Sequence, residues 1–342
     1  MNSINKFYNH EYTKKKVNTN YHRFSIAPML NYTDKDCRYF YRQMTKKSLL
    51  YTEMITTNSI LNKKIEKLIY NRPVENPISI QLAGRNPIDF AKCAQIASMM
   101  GYNEINLNIG CPSINMQKAG YGVCLMKEPH VVISCINAID NTVNLPISIK
   151  IRTGVDDKIS YFFLKDFINK ISTNTNCKIF IIHARAAWLL GINTRQNRNL
   201  PKLQYHFVYQ IKQDFPHLKI VINGGINSLK EAIMHLSHVD GVMLGRAIYK
   251  NPSILTTVDQ KIFYCKNKNY DIIQSIKNML PYIEKNILIK KFNKKIFKHM
   301  SGAFYNSPGS QIWKKKINAL QKENNIKSEI NKTLALISIL YN

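Results

Sequence analysis

The feature that most constrains this chain is a series of eight short, β-branched apolar runs, separated by stretches with helical periodicity. The runs are Phe24–Met29, Leu49–Met54, Pro77–Gly84, Glu104–Gly110, Pro146–Arg152, Lys178–Ala184, Lys219–Gly225 and Gly241–Arg246. Eight alternating units predict a (β/α)8 barrel. An open doubly wound sheet usually has fewer strands and a glycine-rich dinucleotide motif after the first strand, and no such motif follows Phe24–Met29.

Two of the stretches between these runs begin with helix-start signals. An Asn-Pro pair opens Asn86–Met100, and Ser228, with Glu231 three residues later, opens Ser228–Leu236. Both segments are therefore predicted to be helices of the barrel's outer layer.

Composition divides the chain into three parts. Residues 1–21 are polar and basic, and we expect a poorly ordered tail. Residues 22–255 contain the eight runs and form the predicted barrel. Residues 256–342 lack strand signals and contain Lys-rich helical stretches, for example Ile272–Lys294 and Gln311–Leu320. They predict a smaller all-helical C-terminal domain.

The chain is strongly basic, with 49 Lys and Arg against 21 Asp and Glu, a net charge of +28 and an isoelectric point of about 9.8. This balance favours a polyanionic partner. A base-biased genome would also add Lys, Asn and Ile, so charge alone does not identify that partner.

Cysteine usage and hydropathy indicate the compartment. The seven cysteines are scattered, with no Cys-x-x-Cys pair, which argues against a zinc ribbon or a disulfide framework. No apolar run reaches the roughly 18 residues of a membrane span, and the N-terminus lacks a signal peptide's apolar core. We expect a soluble cytoplasmic protein without a metal or membrane partner.

In a (β/α)8 barrel the chemistry lies at the C-terminal ends of the strands. Nearly every predicted strand ends in polar or glycine residues: Ala27-Pro28-Met29, Glu53, Gln81, Asn108 with Cys111, Lys150 with Arg152, His183 with Arg185, Asn223-Gly224-Gly225 and Gly245-Arg246. A single polar strand end is usually just solvated, but convergence from eight strands predicts a site.

The character of these strand ends predicts a cofactor. Glycines at the ends of the last two strands let backbone N–H groups approach a phosphate. A tight turn alone would also explain Gly224 and Gly225. Lys150 and His183 are suited to the polar edge of a heterocycle, and Gln81 offers a bidentate amide. A phosphate beside an amide-rich heterocycle describes FMN.

One cysteine stands out by position. Cys111 leaves the fourth strand between Gly110 and Pro112, on a loop that faces the barrel mouth, where a thiol can reach a substrate. Cys124 is read as a packing residue. The cysteines inside helical or strand patterns are read as small buried hydrophobes: Cys93, Cys135 and Cys177.

Several strings together resemble a known family. They are APML-x-x-TD (27–34), CRYF (37–40), LLYTEM (49–54), QL-x-G (81–84), INLNIGCPS (105–113), IHAR (182–185), INGGI (222–226) and DGVMLGR (240–246). In colinear order over roughly residues 22–320, they resemble the tRNA-dihydrouridine synthases, and the subfamily A branch most closely.

The resemblance implies an enzyme that uses bound FMN and NADPH to reduce the C5–C6 double bond of D-loop uridines in tRNA, at position 20 and 20a. It implies that Cys111 is the general acid that protonates C5, and that Asn108, Met29 and Arg185 contact the target base. The flavin-binding residues that it implies are Ala27, Pro28, Met29, Gln81, Lys150, His183, Arg185, Asn223, Gly224, Gly225, Gly245 and Arg246.

The basic helical domain is then the expected tRNA clamp of a monomeric enzyme. Its lysines include Lys285, Lys290, Lys291, Lys294, Lys295, Lys298 and Lys314 to Lys316. Two alternatives stay open. One is an FMN barrel that acts on free pyrimidines, like the dihydroorotate dehydrogenases, and the other is a catalytically idle RNA-binding protein that retains the barrel only to fold.

Overall fold

The computed structural model describes residues 19–62, 73–266, 269–289, 294–320 and 326–339. Its eight strands are β1 (Phe24–Ile26), β2 (Leu50–Thr56), β3 (Ile78–Ala83), β4 (Glu104–Ile109), β5 (Ile147–Arg152), β6 (Ile179–His183), β7 (Lys219–Asn223) and β8 (Gly241–Leu244). Each strand lies within or beside one of the eight predicted runs.

The strands are parallel and run in the order β1-β8-β7-β6-β5-β4-β3-β2. A bridge between Ser25 and Leu49 joins the two ends of this order. There the Ile26 N–H donates to the Leu49 carbonyl at 3.0 Å, and the Leu49 N–H donates to the Phe24 carbonyl at 3.1 Å. The sheet therefore closes, and the predicted (β/α)8 barrel is confirmed.

The barrel helices are α1 (Lys35–Arg42), α2 (Thr57–Asn62), α3 (Pro87–Met99), α4 (Ile114–Lys118), α5 (Pro129–Asp140), α6 (Tyr161–Asn174), α7 (Tyr205–Asp214), α8 (Leu229–His235) and α9 (Arg246–Lys250). Both predicted helix starts are confirmed. Asn86 accepts the Ile88 N–H at 2.9 Å, and Ser228 accepts the Glu231 N–H at 3.1 Å. These caps satisfy N–H groups that have no partner inside a helix.

The interior of the barrel has an apolar side and a polar side. Its apolar side comes from β2, β6, β7, β8 and the end of β1 and contains Ala27, Leu49, Tyr51, Ile179, Ile181, Val221 and Met243. The polar side comes from β3, β4 and β5 and contains Ser79, Gln81, Glu104, Asn106 and Ser148, all buried. Buried polar groups need hydrogen-bond partners, so this side must form a connected network.

A 3-10 helix, Thr19–Arg23, lies at the N-terminal end of the barrel. Its His22 is buried, and His22 Nε2 lies 2.5 Å from Glu104 Oε2 at the start of β4. Of the tail expected over residues 1–21, residues 1–18 lie outside the described residues, and 19–21 belong to this helix.

The C-terminal portion is helical. Its helices are α10 (Val258–Lys261), α11 (Ile272–Lys277), α12 (Leu280–Leu288), α13 (Lys295–Met300), α14 (Ser310–Ala319) and α15 (Ile326–Ile339). The prediction of a single helix over Ile272–Lys294 was wrong, because the described part of this segment forms two helices, α11 and α12. Pro281, at the second position of α12, has no N–H for the preceding turn, so the chain breaks before it.

Buried polar contacts join the helical portion to α1 and to the loop after it. Asp34, the N-cap of α1, lies 3.1 Å from His299 Nε2. Although burial raises the pKa of Asp34, the hydrogen bond and charge of His299 lower it, and the net shift is downward. Tyr282 donates a hydrogen bond to Asp36, and the buried Asp259 accepts the Lys46 N–H at 2.7 Å. These contacts fix the helical portion against the barrel.

Among the helices that the structure describes, none is both long and apolar enough to cross a membrane.

Candidate active site at the barrel mouth

The loop that carries Cys111 is held rigidly at the mouth. Asn108 Oδ1 accepts the backbone N–H groups of Gly110 and Cys111, at 3.2 and 3.0 Å. The Cys111 carbonyl accepts the Val123 N–H at 3.1 Å, and a Cβ on Gly122, whose φ is +63°, would lie 2.5 Å from that carbonyl oxygen. The half-buried Cys111 thiol lies 3.5 Å from Ser113 Oγ and keeps access to the mouth.

Two amides and an amine lie next to this loop. Asn108 Nδ2 donates to Gln81 Oε1 at 2.9 Å, and Asn108 pairs in register with Lys150 on β5. Burial, with a smaller contribution from the charge of Arg152, lowers the pKa of Lys150 to about 7. The amine therefore changes its charge near neutral pH.

Arg152 connects the fifth strand to the loop after β6. Its guanidinium donates to the carbonyls of Ala186 and Asn197, at 3.1 and 2.9 Å. The buried Asn197 in turn accepts the Trp188 N–H and donates to the Trp188 carbonyl, both at 2.8 Å. Arg152 and Asn197 thus hold the loop at residues 186–198, and Trp188 in this loop is 39% exposed.

His183 ends β6 and lies beside Gly224. Burial, followed by the charges of Arg152 and Lys150, lowers the pKa of His183 well below its usual 6.5, so the imidazole is neutral. Gly224 has a φ of +107°, and a Cβ there would lie 2.4 Å from His183 Cδ2. Only glycine lets the end of β7 pack this closely against the imidazole.

The ends of β1 and β8 converge on the other side of the mouth. A Cβ on Gly245 would lie 3.3 Å from Met29 Sδ and 3.4 Å from Ala27 Cβ. Pro28 is half-buried between these two residues. Asn223 Nδ2 donates to the Met243 carbonyl at 2.7 Å and so ties β7 to β8. Gly225 instead approaches the chain before α7, because its Cβ would lie 2.7 Å from Leu203 Cδ1.

Three arginines surround these last strand ends. Arg246 donates to Asn199 Oδ1 at 2.8 Å and to the Arg198 carbonyl at 3.2 Å, and Arg185 donates to the carbonyls of Asn199 and Pro201. Burial, then the charges of Arg198 and Arg185, lower the pKa of Arg246. Within the described residues, the buried Nε atoms of Arg185 and Arg198 have no hydrogen-bond partner. Such a cluster favours an anion.

Every candidate of the sequence analysis thus lies at or beside the mouth. Three further polar residues, Glu104, Asn106 and Ser148, lie below Gln81 and were not predicted from the sequence. The alternation of Glu104, Asn106 and Asn108 along β4 is the sequence signal that could have predicted this polar side, because residues two apart face the same side of a strand. The described residues contain no group of three His, Cys, Asp or Glu side chains that could hold a metal.

Replacing Lys150 with Met tests the lowered pKa. Because the folded-state pKa of about 7 lies below the ordinary 10.5, the unfolded chain binds more protons between these values. This group therefore makes the free energy of unfolding of the ligand-free protein rise with pH, by up to about 1.4 kcal/mol per pH unit. Urea unfolding at pH 7.5 and 9 should show that rise in the wild type and a smaller one in Lys150→Met.

The exposed Lys170→Met variant is the control, since its ammonium pairs with Asp166 on the surface of α6. Equal pH dependence in the wild type and in Lys150→Met would contradict the assignment.

Comparison with known proteins identifies the family. The model described as "Dihydrouridine synthase (Dus)" matches residues 25–338. The tRNA-dihydrouridine(20/20a) synthase of Vibrio parahaemolyticus is 48% identical over 295 residues, covering 86% of this chain and 90% of the relative. The enzymes of the same name from Escherichia coli K12 and Salmonella typhimurium are 47% and 46% identical over 293 and 294 residues, covering 86% of this chain and 85% and 88% of theirs. This chain belongs to the dihydrouridine synthase family.

Proposed function

We propose that this protein reduces the C5–C6 double bond of uridines 20 and 20a in the D loop of tRNA, with FMN as bound cofactor and NADPH as reductant. The observation that carries the proposal is the loop Asn108–Cys111. It holds the Cys111 thiol next to the amides of Asn108 and Gln81 and next to Lys150, whose pKa is lowered to about 7. The relatives named tRNA-dihydrouridine(20/20a) synthase, which are similar over 86% of this chain, support the proposed product and its two positions.

The residues at the mouth fit an FMN. Its phosphate suits the space beside Arg246, where the buried Nε atoms of Arg185 and Arg198 lack a partner among the described residues. The backbones of Asn223, Gly224, Gly225 and Gly245 complete this phosphate site in the proposal. The ring system would lie against Ala27, Pro28 and Met29, with Gln81, Lys150 and His183 along its polar edge. The φ angles of +107° at Gly224 and +72° at Gly225 are ones that glycine adopts readily, as in backbone turns whose N–H groups bind anions.

When bound, the flavin supplies the hydride that reaches C6 of the uracil. The chain's own residues manage the charge and the proton. Lys150 in its charged form stabilises negative charge at the pyrimidine edge of the cofactor. Asn108 and Met29 hold the target base, and Arg185 lies beside it. Cys111 delivers a proton to C5, for which a positioned thiol is a suitable general acid.

Binding of a tRNA substrate requires contacts beyond the barrel mouth. A uridine in folded RNA must be turned out of the base stack, and the protein must hold the neighbouring phosphates during this step. We propose that residues 22–255 are the catalytic domain and that residues 256–342 clamp the tRNA. A free pyrimidine would need no basic helical portion, which disfavours the dihydroorotate dehydrogenase alternative. The intact Cys111 and Lys150 disfavour an idle RNA-binding barrel.

Two groups of lysines in the helical portion are distinguished by their partners. Lys316, Lys327 and Lys332 form ion pairs with Glu329 or Glu284 at 3.1 to 3.2 Å. Lys298 lies 5.9 Å above the ring of Tyr32, in the loop after β1, and Lys314 lies 6.0 Å above the ring of Tyr305. In the described part of the chain, neither Lys298 nor Lys314 pairs with a carboxylate, and both adjoin aromatic rings, as is typical of an RNA-binding surface. Lys290 and Lys291 lie outside the described residues.

A tRNA substrate supports a cytoplasmic location, and the monomeric state stays a prediction.

Replacing Cys111 with Ala tests the general acid. The variant should bind FMN and accept electrons from NADPH nearly as the wild type does, because neither process needs a proton at C5. Dihydrouridine formation in tRNA, measured in single turnover, should slow by roughly 10²–10⁴-fold.

Cys124→Ala is the matched control. Cys124 lies half-buried in the 3-10 helix Gly122–Lys127. Its replacement by Ala should lower the free energy of unfolding by only about 1 kcal/mol. A normal rate for Cys111→Ala with a lost rate for Cys124→Ala would assign the proton donor to the other thiol.

A triple variant tests the clamp. Changing Lys298, Lys314 and Lys315 to Gln should weaken tRNA binding and reduce the slope of log affinity against log salt concentration by roughly two to three, because each lost phosphate contact releases about one fewer counterion. Changing the ion-paired Lys316, Lys327 and Lys332 to Gln should have a much smaller effect. Equal slopes for both triple variants and the wild type would refute the clamp.

A further inference from the structure

The amides at the barrel mouth form the upper part of a chain of hydrogen bonds that runs down through the barrel. The backbone N–H of Cys111 donates to Asn108, and Asn108 Nδ2 donates to Gln81 Oε1 at 2.9 Å. Gln81 Nε2 then donates to Asn106 Oδ1 at 2.7 Å. Gln81 and Asn106 are buried, so these bonds are not shared with bulk water.

The lower part ends on a carboxylate. Asn106 Nδ2 donates to Ser148 Oγ at 2.7 Å, and Ser148 Oγ donates to Glu104 Oε1 at 2.6 Å. Tyr51 donates to the same oxygen at 3.2 Å, while His22 Nε2 lies 2.5 Å from the other. We call the series Asn108, Gln81, Asn106, Ser148 and Glu104 the amide relay.

The two ends of the amide relay require the same direction of donation. Burial alone would raise the pKa of Glu104, but the charge and hydrogen bond of His22, with help from Ser148, lower it on balance, so the carboxylate is ionised. An ionised carboxylate only accepts hydrogen bonds, so the Ser148 hydroxyl must point down and its oxygen must accept from above. At the top, backbone N–H groups only donate, so Asn108 must present its oxygen to them. Each amide between has one orientation that satisfies both ends.

This direction determines what Asn108 and Gln81 offer a ligand. Asn108 Oδ1 already accepts two backbone N–H groups, which uses both lone pairs, and one Nδ2 hydrogen goes to Gln81. The remaining Asn108 group is a single N–H. Gln81 uses one Nε2 hydrogen on Asn106 and one lone pair on Asn108, and keeps one N–H and one lone pair. Both side chains therefore offer an N–H, which matches a carbonyl oxygen.

We propose that Glu104, acting through Ser148 and Asn106, is a positioning residue that fixes Gln81 and Asn108 with their free N–H groups toward carbonyl oxygens of the bound pyrimidine rings. Glu104 lies at the opposite end of β4 from Cys111, so it acts on the mouth only through the side chains between them. The identity of the pyrimidine rings rests on the proposed function, whereas the orientation of the amides does not. A flipped amide would turn two donors toward each other at a buried site and leave hydrogen bonds unmade where bulk water cannot replace them.

The first test removes one link. Ser148→Ala takes the acceptor away from Asn106 without touching the mouth. Ser25→Ala is the control, because it removes a buried hydroxyl on β1 that donates to the Val242 carbonyl at 3.4 Å and lies outside the amide relay. In Ser148→Ala, kcat for dihydrouridine formation should fall on the order of 10-fold, as expected for a misplaced reactive group. FMN content and the tRNA dissociation constant should stay within about twofold, because phosphate contacts dominate them.

A purely structural role for Ser148 would instead give the same kcat in folded, FMN-loaded Ser148→Ala as in Ser25→Ala, and this result would overturn the proposal. The split between kcat and affinity separates positioning from loss of fold.

The second test needs no variant and no activity. Neutron diffraction from a deuterium-exchanged crystal of the wild-type protein distinguishes amide nitrogen from amide oxygen, which ordinary X-ray data do not. Deuterium on Asn106 Nδ2 toward Ser148 and on Asn108 Nδ2 toward Gln81 is the expected result, and the opposite assignment at either amide would overturn the proposal. If the wild type formed no dihydrouridine, the proposed function would fail, and the neutron map would still decide the orientation.

Discussion

The polar side of the barrel interior depends on one buried carboxylate, Glu104, and its contact with His22. An uncompensated charge inside a barrel is very costly, so Glu104 needs the imidazole, Ser148 and Tyr51 as partners. With these in place, β3, β4 and β5 can carry hydrogen-bonding side chains through the core, where other barrels pack apolar layers. The mouth then has polar groups that are held from below rather than by loops alone.

The same strands explain why the mouth is cationic and yet stable. Lys150 stands above the polar side with its pKa lowered to about 7 by burial and by Arg152, so it need not carry a full charge in the ligand-free protein. Arg152 itself is anchored on two backbone carbonyls of the loop after β6. The arginines beside the last two strands are likewise held by carbonyls, which orient them without neutralising them. An anionic cofactor and an anionic substrate are what such a mouth stabilises.

The strands, and the position of the candidate site residues at the barrel mouth, could be predicted from the sequence because each lies in a local pattern, an apolar run followed by a polar end. The helix starts at Asn86 and Ser228 could also be predicted, because a helix cap depends on only a few adjacent residues. Three features could not be predicted from the sequence and became visible only in the three-dimensional structure. Pro281 was read as part of a longer helix, Trp188 had no pattern of its own, and the partnership of Glu104 with His22 joins residues 82 apart in the chain. Long-range pairs of this kind leave no periodic signal.

The most direct test of the account is to map dihydrouridine in an unmodified tRNA transcript after incubation with the purified, FMN-loaded protein and NADPH. We expect conversion at positions 20 and 20a, with no reduction of free uridine under the same conditions. Reduction of a free pyrimidine with an unchanged tRNA would contradict the account and assign the barrel to small-molecule chemistry.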